Sequence, residues 1–431
     1  MFDYEKSRFT VEIPVLLGQK KRIALYHTMT RAYALPPETM WRRIVNKKST
    51  ADDSGIITSL LAQGILAKRG TDENAVFKVW FQQYVHDYSH LRFKFMVTRG
   101  CNNRCTYCIL DPESGTMSHE TAQAVDTFCL DRITAHHPAA VTVAYSGGEP
   151  LINLDVMVAS AGRQFNFCRG KGIDYSFIIT TNGTLLTPQT VQRLNTVGLS
   201  GIRVSMAGPQ DIHDRLRPSS EGKGTYETIM KNLEAISGTV PITIECQFDA
   251  GTDDFTRIPE MMDDLVRRNI RVDDIAFTPI LAKRGESCFD SGMGDPDQML
   301  FLQQAAVARG LSVNPEAPSN ACLADFRSFY VFDTDGVIIP CSSLQGGEMA
   351  YGHVERGIDF TAEAQLLDRK LPERCLDRCE LLPLCLGGCR LQALTHGGDF
   401  NGIDCHYDIY SRLLADWIEK KALAVLAKEA A

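Results

Sequence analysis

The chain has 431 residues, 44% of them hydrophobic and 23% charged, with a formal net charge of −8, enough for about two or three domains with buried cores. That charge excludes broad attraction to nucleic acid or an anionic membrane, and no apolar run of about 18 residues is present to span a bilayer. The opening MFDYEKSRFT carries charges where a signal peptide needs an apolar core, so the expected location is the cytoplasm. There, 14 cysteines point to metal or redox chemistry rather than to disulfides.

In chain order, residues 9 to about 70 read as a small α+β unit. FTVEIPV and IALYHTMTRAYAL form strands around a turn, PETMWRRIVN and SGIITSLLAQG are helices, and ILAKRG closes the unit as a strand. A connecting helix runs from Thr71 to His90. From Leu91, apolar strands at 91–98, 141–145, 175–180, 201–206, 241–248 and 272–280 alternate with helices near 118–136, 154–170, 187–197, 224–237 and 255–269. This alternation predicts an α/β fold, an open partial (β/α)6 barrel of parallel strands, with no seventh or eighth unit visible. Beyond residue 281 the alternation stops, a short helix follows near 297–309, and cysteines punctuate the chain up to a last helix from Tyr407 to Ala427. The expected division is 1–90, an amino-terminal module with its connecting helix; 91–281, the partial barrel; and 282–431, a cysteine-rich carboxyl-terminal domain.

In VTRGCNNRCTYC, Cys101, Cys105 and Cys108 follow directly on the first barrel strand, so three thiols stand at a strand's carboxyl end, where barrel enzymes place their chemistry. Soft thiolates suit iron–sulfur clusters, and three of them leave a fourth iron open to chelate a substrate. A structural zinc completed by a ligand such as His119 is the alternative. The second strand ends in YSGGEP, whose glycines permit close backbone approach and whose Glu149 can receive an ammonium; alone, GGEP is also a tight turn.

The Cys101, Cys105, Cys108 spacing, with Tyr107 before the last cysteine, resembles the motif of the radical S-adenosylmethionine superfamily. The resemblance implies that these cysteines hold a [4Fe-4S] cluster that reductively cleaves S-adenosylmethionine, with Tyr107 beside the cofactor. Gly147, Gly148 and Glu149 match the segment that bonds the methionine amino group. Asn182 in TTNGT and Ser205 in SMAGP match contacts to the ribose and the methionine carboxylate, and Arg217 in HDRLRP matches a cofactor-holding arginine whose alternative is a surface ion pair. Many relatives carry Asp where this chain has Ala207, which puts one polar contact near the ribose in doubt.

Cys322, Cys341, Cys375, Cys379, Cys385, Cys389 and Cys405 resemble the seven-cysteine SPASM extension, although LDR makes the loop between Cys375 and Cys379 one residue longer than usual. The resemblance implies two auxiliary [4Fe-4S] clusters, three in all. One takes Cys322, Cys341 and Cys389, with Cys288 or an open iron as its fourth site; the other takes Cys375, Cys379, Cys385 and Cys405. Zinc ribbons use similar spacings and remain the alternative. Cys129, Cys168 and Cys246 fall inside elements, which suits buried packing.

By resemblance, an electron from an external donor such as flavodoxin or ferredoxin yields a 5′-deoxyadenosyl radical that abstracts hydrogen from the substrate, and the auxiliary clusters accept an electron or bind substrate. The amino-terminal module resembles that of SPASM-type peptide maturases, which implies a ribosomally made peptide or small protein as substrate, bound by strand addition. A brace on the barrel is the other reading of that module. Rival activities are an anaerobic sulfatase maturase, a small-molecule radical dehydrogenase and a non-catalytic iron–sulfur carrier. Sulfatase maturases commonly place an acidic base where this chain has Ser342, and a carrier needs no amino-acid site such as Gly147–Glu149.

Overall fold

The computed structural model describes residues 3–17, 19–110, 115–281, 294–314, 316–344, 347 and 349–430. Cys288 lies outside them. The amino-terminal part contains β1 (Tyr4–Lys6), β2 (Thr10–Leu17), β3 (Lys20–His27) and β4 (Tyr33–Ala34), then α1 (Glu38–Val45), α2 (Ser54–Ala62), β5 (Leu66–Lys68) and α3 (Glu73–Val85). β2, β3 and β4 form one antiparallel sheet, while β1 and β5 pair separately. Pro14 sits in mid-β2, a position that only an edge strand tolerates because proline has no N–H for the ladder.

The module's apolar clusters pack mainly on the carboxyl-terminal region, while Tyr88 after α3 stacks on His136 of the barrel. Val15, Ala24 and Tyr26 pack against Leu381, Leu384, Leu414 and Ile418, while Phe9 and Phe77 pack against Leu382 and Leu386 beside Cys375 and Cys379. The carboxyl-terminal cysteine region is its seat.

The barrel strands are β6 (His90–Thr98), β7 (Ala140–Gly147), β8 (Asp174–Thr181), β9 (Leu199–Met206), β10 (Ile242–Phe248) and β11 (Asp274–Pro279), all parallel and in sequence order. Crossover helices α4 (His119–His136), α5 (Leu154–Lys171), α6 (Pro188–Asn195), α8 (Tyr226–Ile236) and α9 (Ile258–Arg267) cover the outside, with the short α7 (Gln210–Leu216) between α6 and α8. Strand alternation makes this possible: Leu91, Phe93, Phe95 and Val97 bury outward against the helices, and Arg92, Lys94 and Met96 take the opposite face. Each such apolar side chain contributes about 1.5–3 kcal/mol. Helix α4 starts where Ser118 accepts from the Thr121 N–H and ends at left-handed His137.

The sheet runs further than the six predicted units. β12 (Phe329–Phe332) pairs in parallel with β6, and β13 (Val337–Ile339), β14 (Gly352–His353) and β15 (Gly357–Ile358) continue it antiparallel to ten strands. The carboxyl-terminal region is therefore joined to the barrel through main-chain hydrogen bonds, which places Cys341, just after β13, near the first strand. The remaining helices are α10 (Pro296–Ala308), α11 (Phe360–Leu367), α12 (Glu373–Arg378), α13 (Leu382–Cys385), α14 (Arg390–Gly397) and α15 (Tyr407–Ala430). Cys129, Cys168 and Cys246 are fully buried in the barrel core, as their positions predicted.

Candidate active site and cysteine centres

At the carboxyl ends of the barrel strands a cavity of about 740 Å³ opens, a size suited to a nucleoside-sized ligand. Cys101, Cys105, Cys108, Tyr107, Gly147, Gly148, Asn182, Ser205 and Arg217 all line it. The cysteine loop is held on two sides. The N–H groups of Arg104 and Thr106 donate to the carbonyls of Pro218 and Leu216 at 2.8 and 2.9 Å, and the Ser220 N–H donates to the Asn102 carbonyl at 2.8 Å. On the other side, the Gly148 and Glu149 N–H groups donate to the Thr98 and Gly100 carbonyls at 2.8 and 2.9 Å.

That second clamp gives the two glycines a further reason beside the sequence reading. A Cβ on Gly147 would overlap the Thr98 carbonyl oxygen, and one on Gly148 the Gly100 carbonyl oxygen. The close approach they permit is to the cysteine loop's own backbone. Gly147 also has φ +141°, a conformation that L side chains rarely adopt.

Glu149 also departs from expectation. Its carboxylate, fully buried, accepts from the Leu151 N–H at 3.1 Å, the Thr181 hydroxyl at 2.8 Å and the Asn182 N–H at 2.7 Å, and it does not line the cavity. These three donors tie the second strand end to the third. Burial raises its pKa even against those donors. Asn182 is likewise engaged: its amide donates to Asn102 Oδ1 at 2.9 Å and lies 3.8 Å from the Cys101 sulfur, while its oxygen accepts from Thr184. The side chain thus orients the first cysteine while also lining the cavity.

Arg217 is not a surface ion pair. It is 5% exposed, and its terminal nitrogen donates to the Tyr107 hydroxyl at 2.6 Å and to Gln247 Oε1 at 3.0 Å. Its backbone is fixed by a relay: the Ala207 N–H donates to His213 Nδ1, His213 Nε2 bonds the Thr225 hydroxyl, and that hydroxyl donates to the Arg217 carbonyl at 2.8 Å. Burial keeps His213 neutral by lowering its pKa well below the ordinary value.

Gln247 and Asn103 are among the cavity residues that escaped the sequence reading. Gln247 sits on β10, and only the folded barrel brings it to Tyr107. Asn103, between the first two cysteines, is 3% exposed with neither amide atom hydrogen-bonded among the described residues. Its place inside the cysteine motif was the signal available. The Arg217 Nε is also unpartnered. A cavity holding three thiols and unsatisfied polar donors fits a cluster with a charged small molecule bound beside it.

The later cysteines fall into two groups. Cys375, Cys379, Cys385 and Cys405 line one apolar cavity. Cys389 interacts electrostatically with both Cys322 and Cys341. Among the described residues no three His, Cys, Asp or Glu side chains converge tightly enough for a single ion, and His119 lies exposed at the start of α4. Burial pushes the Cys322 and Cys379 thiols up to about 12 and Cys385 to about 11, so binding metal must release their protons.

An ion network ties the cysteine-bearing segments together. Asp325, three residues after Cys322, bonds Arg390 at 2.7 Å and Arg369 at 3.2 Å, and all three side chains are nearly buried. Arg369 donates to the carbonyls of Leu386, Gly387, Gly388 and Gly402, closing the loops around Cys385, Cys389 and Cys405.

Residues 95–246 match the family model described as Radical SAM superfamily. The chain thus carries a radical SAM domain, and its relatives in that superfamily are enzymes. It is 27% identical to Fe-coproporphyrin III synthase of Methanosarcina barkeri over 137 residues, 32% of this chain and 31% of that protein, so it spans about a third of that relative's length. It is 23% identical to AdoMet-dependent heme synthase of the same organism over 343 residues, 70% of this chain and 92% of the relative. With PqqA peptide cyclase of Ruegeria pomeroyi it shares 24% over 331 residues, 70% of this chain and 83% of the relative.

Among solved structures, native anSMEcpe with bound AdoMet and Cp18Cys peptide superposes with a TM-score of 0.60 at 17% identity, covering 79% of this chain and 99% of that one. Streptococcus suis SuiB bound to precursor peptide SuiA gives 0.56 at 15%, covering 94% and 99%. The chain shares the fold of these two structures. Among the described residues no helix is long and apolar enough to cross a membrane.

Proposed function

We propose that this chain is a cytoplasmic radical S-adenosylmethionine enzyme that oxidatively modifies a ribosomally synthesised peptide, forming a crosslink or another C–H functionalisation. The observation that carries the reading is the single cavity shared by Cys101, Cys105, Cys108, Tyr107, Ser205 and Arg217 at the barrel's carboxyl end. When bound, the cluster and S-adenosylmethionine supply a 5′-deoxyadenosyl radical able to abstract hydrogen from carbon.

The chain's own residues do the rest. Glu149, Asn182 and the two glycines fix the cysteine loop, and Arg217, Gln247 and Asn103 offer polar atoms to the charged and ribosyl parts of the cofactor. The strand-end loops keep water from the reacting C–H bond. In this reading, Cys322, Cys341 and Cys389 hold one auxiliary [4Fe-4S] cluster and Cys375, Cys379, Cys385 and Cys405 another, with a flavodoxin or ferredoxin as electron donor.

A peptide substrate is supported by the amino-terminal module, which the superposition on peptide-bound SuiB includes, since it spans 94% of this chain. Ser342 follows Cys341 where sulfatase maturases commonly carry an acidic base, which favours this reading over formylglycine formation.

Two measurements test the proposal. Anaerobically reconstituted, dithionite-reduced protein should convert S-adenosylmethionine to methionine and 5′-deoxyadenosine; no 5′-deoxyadenosine would refute radical chemistry. Co-expression with short peptides encoded beside the gene should give a product lighter by about two mass units, the signature of net two-electron oxidation; unchanged peptides alongside active cofactor cleavage would refute the peptide substrate.

A further inference from the structure

The amino-terminal module sends one cation toward the second cysteine group. Arg8, in the link between β1 and β2, has all three guanidinium nitrogens shielded from solvent and without a hydrogen-bond partner among the described residues. A buried guanidinium with no acceptor costs several kcal/mol unless an acceptor is supplied. Its carbon stacks 3.9 Å over the Phe9 ring, and Phe9 belongs to the same apolar cluster as Cys375 and Cys379. Burial lowers the Arg8 pKa, and the titratable groups near enough to act on it are Glu73, Asp377 and Cys379.

Glu73 does not satisfy the guanidinium. Its oxygens accept from the Ser7 hydroxyl at 2.5 Å and from the Arg8 backbone N–H at 3.0 Å, which anchors the Arg8 main chain and leaves its side chain free to reach on. Asp377 is drawn away as well, accepting from Asn74 Nδ2 at 2.7 Å. Thr28 donates to the Glu380 carbonyl at 2.6 Å, so module contacts fall on both sides of Cys379.

Resting on the auxiliary-cluster reading of Cys375, Cys379, Cys385 and Cys405, we propose that Arg8 is a positioning and tuning residue for that cluster, donating N–H groups to its sulfurs and placing a positive charge beside it. Donors to sulfur and nearby positive charge both favour the reduced, more negative cluster. The amino-terminal module thereby completes the cluster's surroundings, and whatever moves the module alters how readily this cluster accepts an electron.

The test is an EPR-monitored redox titration of the full-length holoprotein and of Arg8→Gln and Arg8→Lys, with the relevant signal identified as the one lost in Cys375→Ala. In Arg8→Gln the ratio of reduced to oxidised cluster at a fixed potential should fall about tenfold, equivalent to about 59 mV for a one-electron couple. Arg8→Lys, which keeps the charge, should fall less, and the other two signals should not move. Equal midpoints in wild type and both variants, at unchanged iron and sulfide content, overturn the proposal. Should Arg8→Gln lose iron, Arg8→Lys decides: a shift confined to the same signal supports the proposal, and its absence overturns it. Failure of the underlying reading looks different, since wild-type protein itself would saturate near four irons rather than about twelve.

Discussion

The cysteines at the barrel mouth and those beyond residue 320 are built on opposite plans. Cys101, Cys105 and Cys108 share one eight-residue loop, and neighbouring strands hold that loop through main-chain hydrogen bonds and the buried Glu149 carboxylate. Cys322 to Cys405 come from separate segments, brought together by the Asp325, Arg369 and Arg390 network and by a module from the other end of the chain. A local ligand loop can be preorganised by a scaffold that folds without metal. Ligands distant in sequence couple folding to cluster binding, because the cluster itself closes the loops.

The sharpest way to separate the two plans is Arg390→Ala. It leaves Asp325 without one of its cations and frees the Leu366 carbonyl that Arg390 contacts at 2.6 Å. Loss of one partner of a buried pair costs about 3–5 kcal/mol. Denaturant unfolding should show that loss, and iron analysis should show about four irons retained at the barrel while about eight are lost; equal loss from both regions would end the distinction.

Acid should also act first on the carboxyl-terminal plan, through the module. Burial lowers the His27 pKa from 6.5 to about 4, and its ring bonds the Ser7 and Thr30 hydroxyls. Because the folded value is depressed, stability is fully present above pH 6.5 and declines toward pH 4, as the unfolded chain takes up the proton first. The decline amounts to about 3 kcal/mol. Thermal melts across this window should show it, and His27→Gln should flatten the dependence.

At the barrel, Glu149→Gln keeps the shape but turns an acceptor of three donors into a group with one acceptor oxygen. About 1–3 kcal/mol of stability should be lost, and 5′-deoxyadenosine formation should fall with iron content nearly kept, since the cysteines themselves are untouched. A variant that loses iron in proportion to activity would show that Glu149 holds the cluster loop more tightly than the main-chain bonds do. The smallest effect expected is from Asn74→Ala, which removes an exposed 2.7 Å bond to Asp377. It should cost under about 1 kcal/mol in thermal denaturation and leave all iron in place.

Much of the fold was legible because the strands carry strong patterns. Leu91, Phe93 and Phe95 alternate with Arg92 and Lys94, and the helices between strands begin at capping residues such as Ser118. The final helix, predicted from Tyr407, begins there. The extension of the sheet by β12 was not legible: FYVF is four residues long, and its partner β6 lies more than two hundred residues earlier, so nothing local announces the pairing. Asn182 and Glu149, singled out by motif position, also bond the loops around them, and of the two only Asn182 lines the cavity. Motif position marks a residue as belonging to a site without telling whether it faces the ligand or supports what does.

The sequence alone determined the chemistry available: ten clustered cysteines in two kinds of spacing, glycines where backbones must touch, and a barrel rhythm that sets three thiols at a strand end. Those follow from residue type and local period, which a linear chain records directly. Tertiary structure decided which cysteines meet, that the amino-terminal module packs on the second group, and that the Arg8 guanidinium is shielded there without a hydrogen-bond partner among the described residues. Such facts depend on contacts between segments far apart in the chain, and the burial that gives them their energetic weight exists only once the chain has folded.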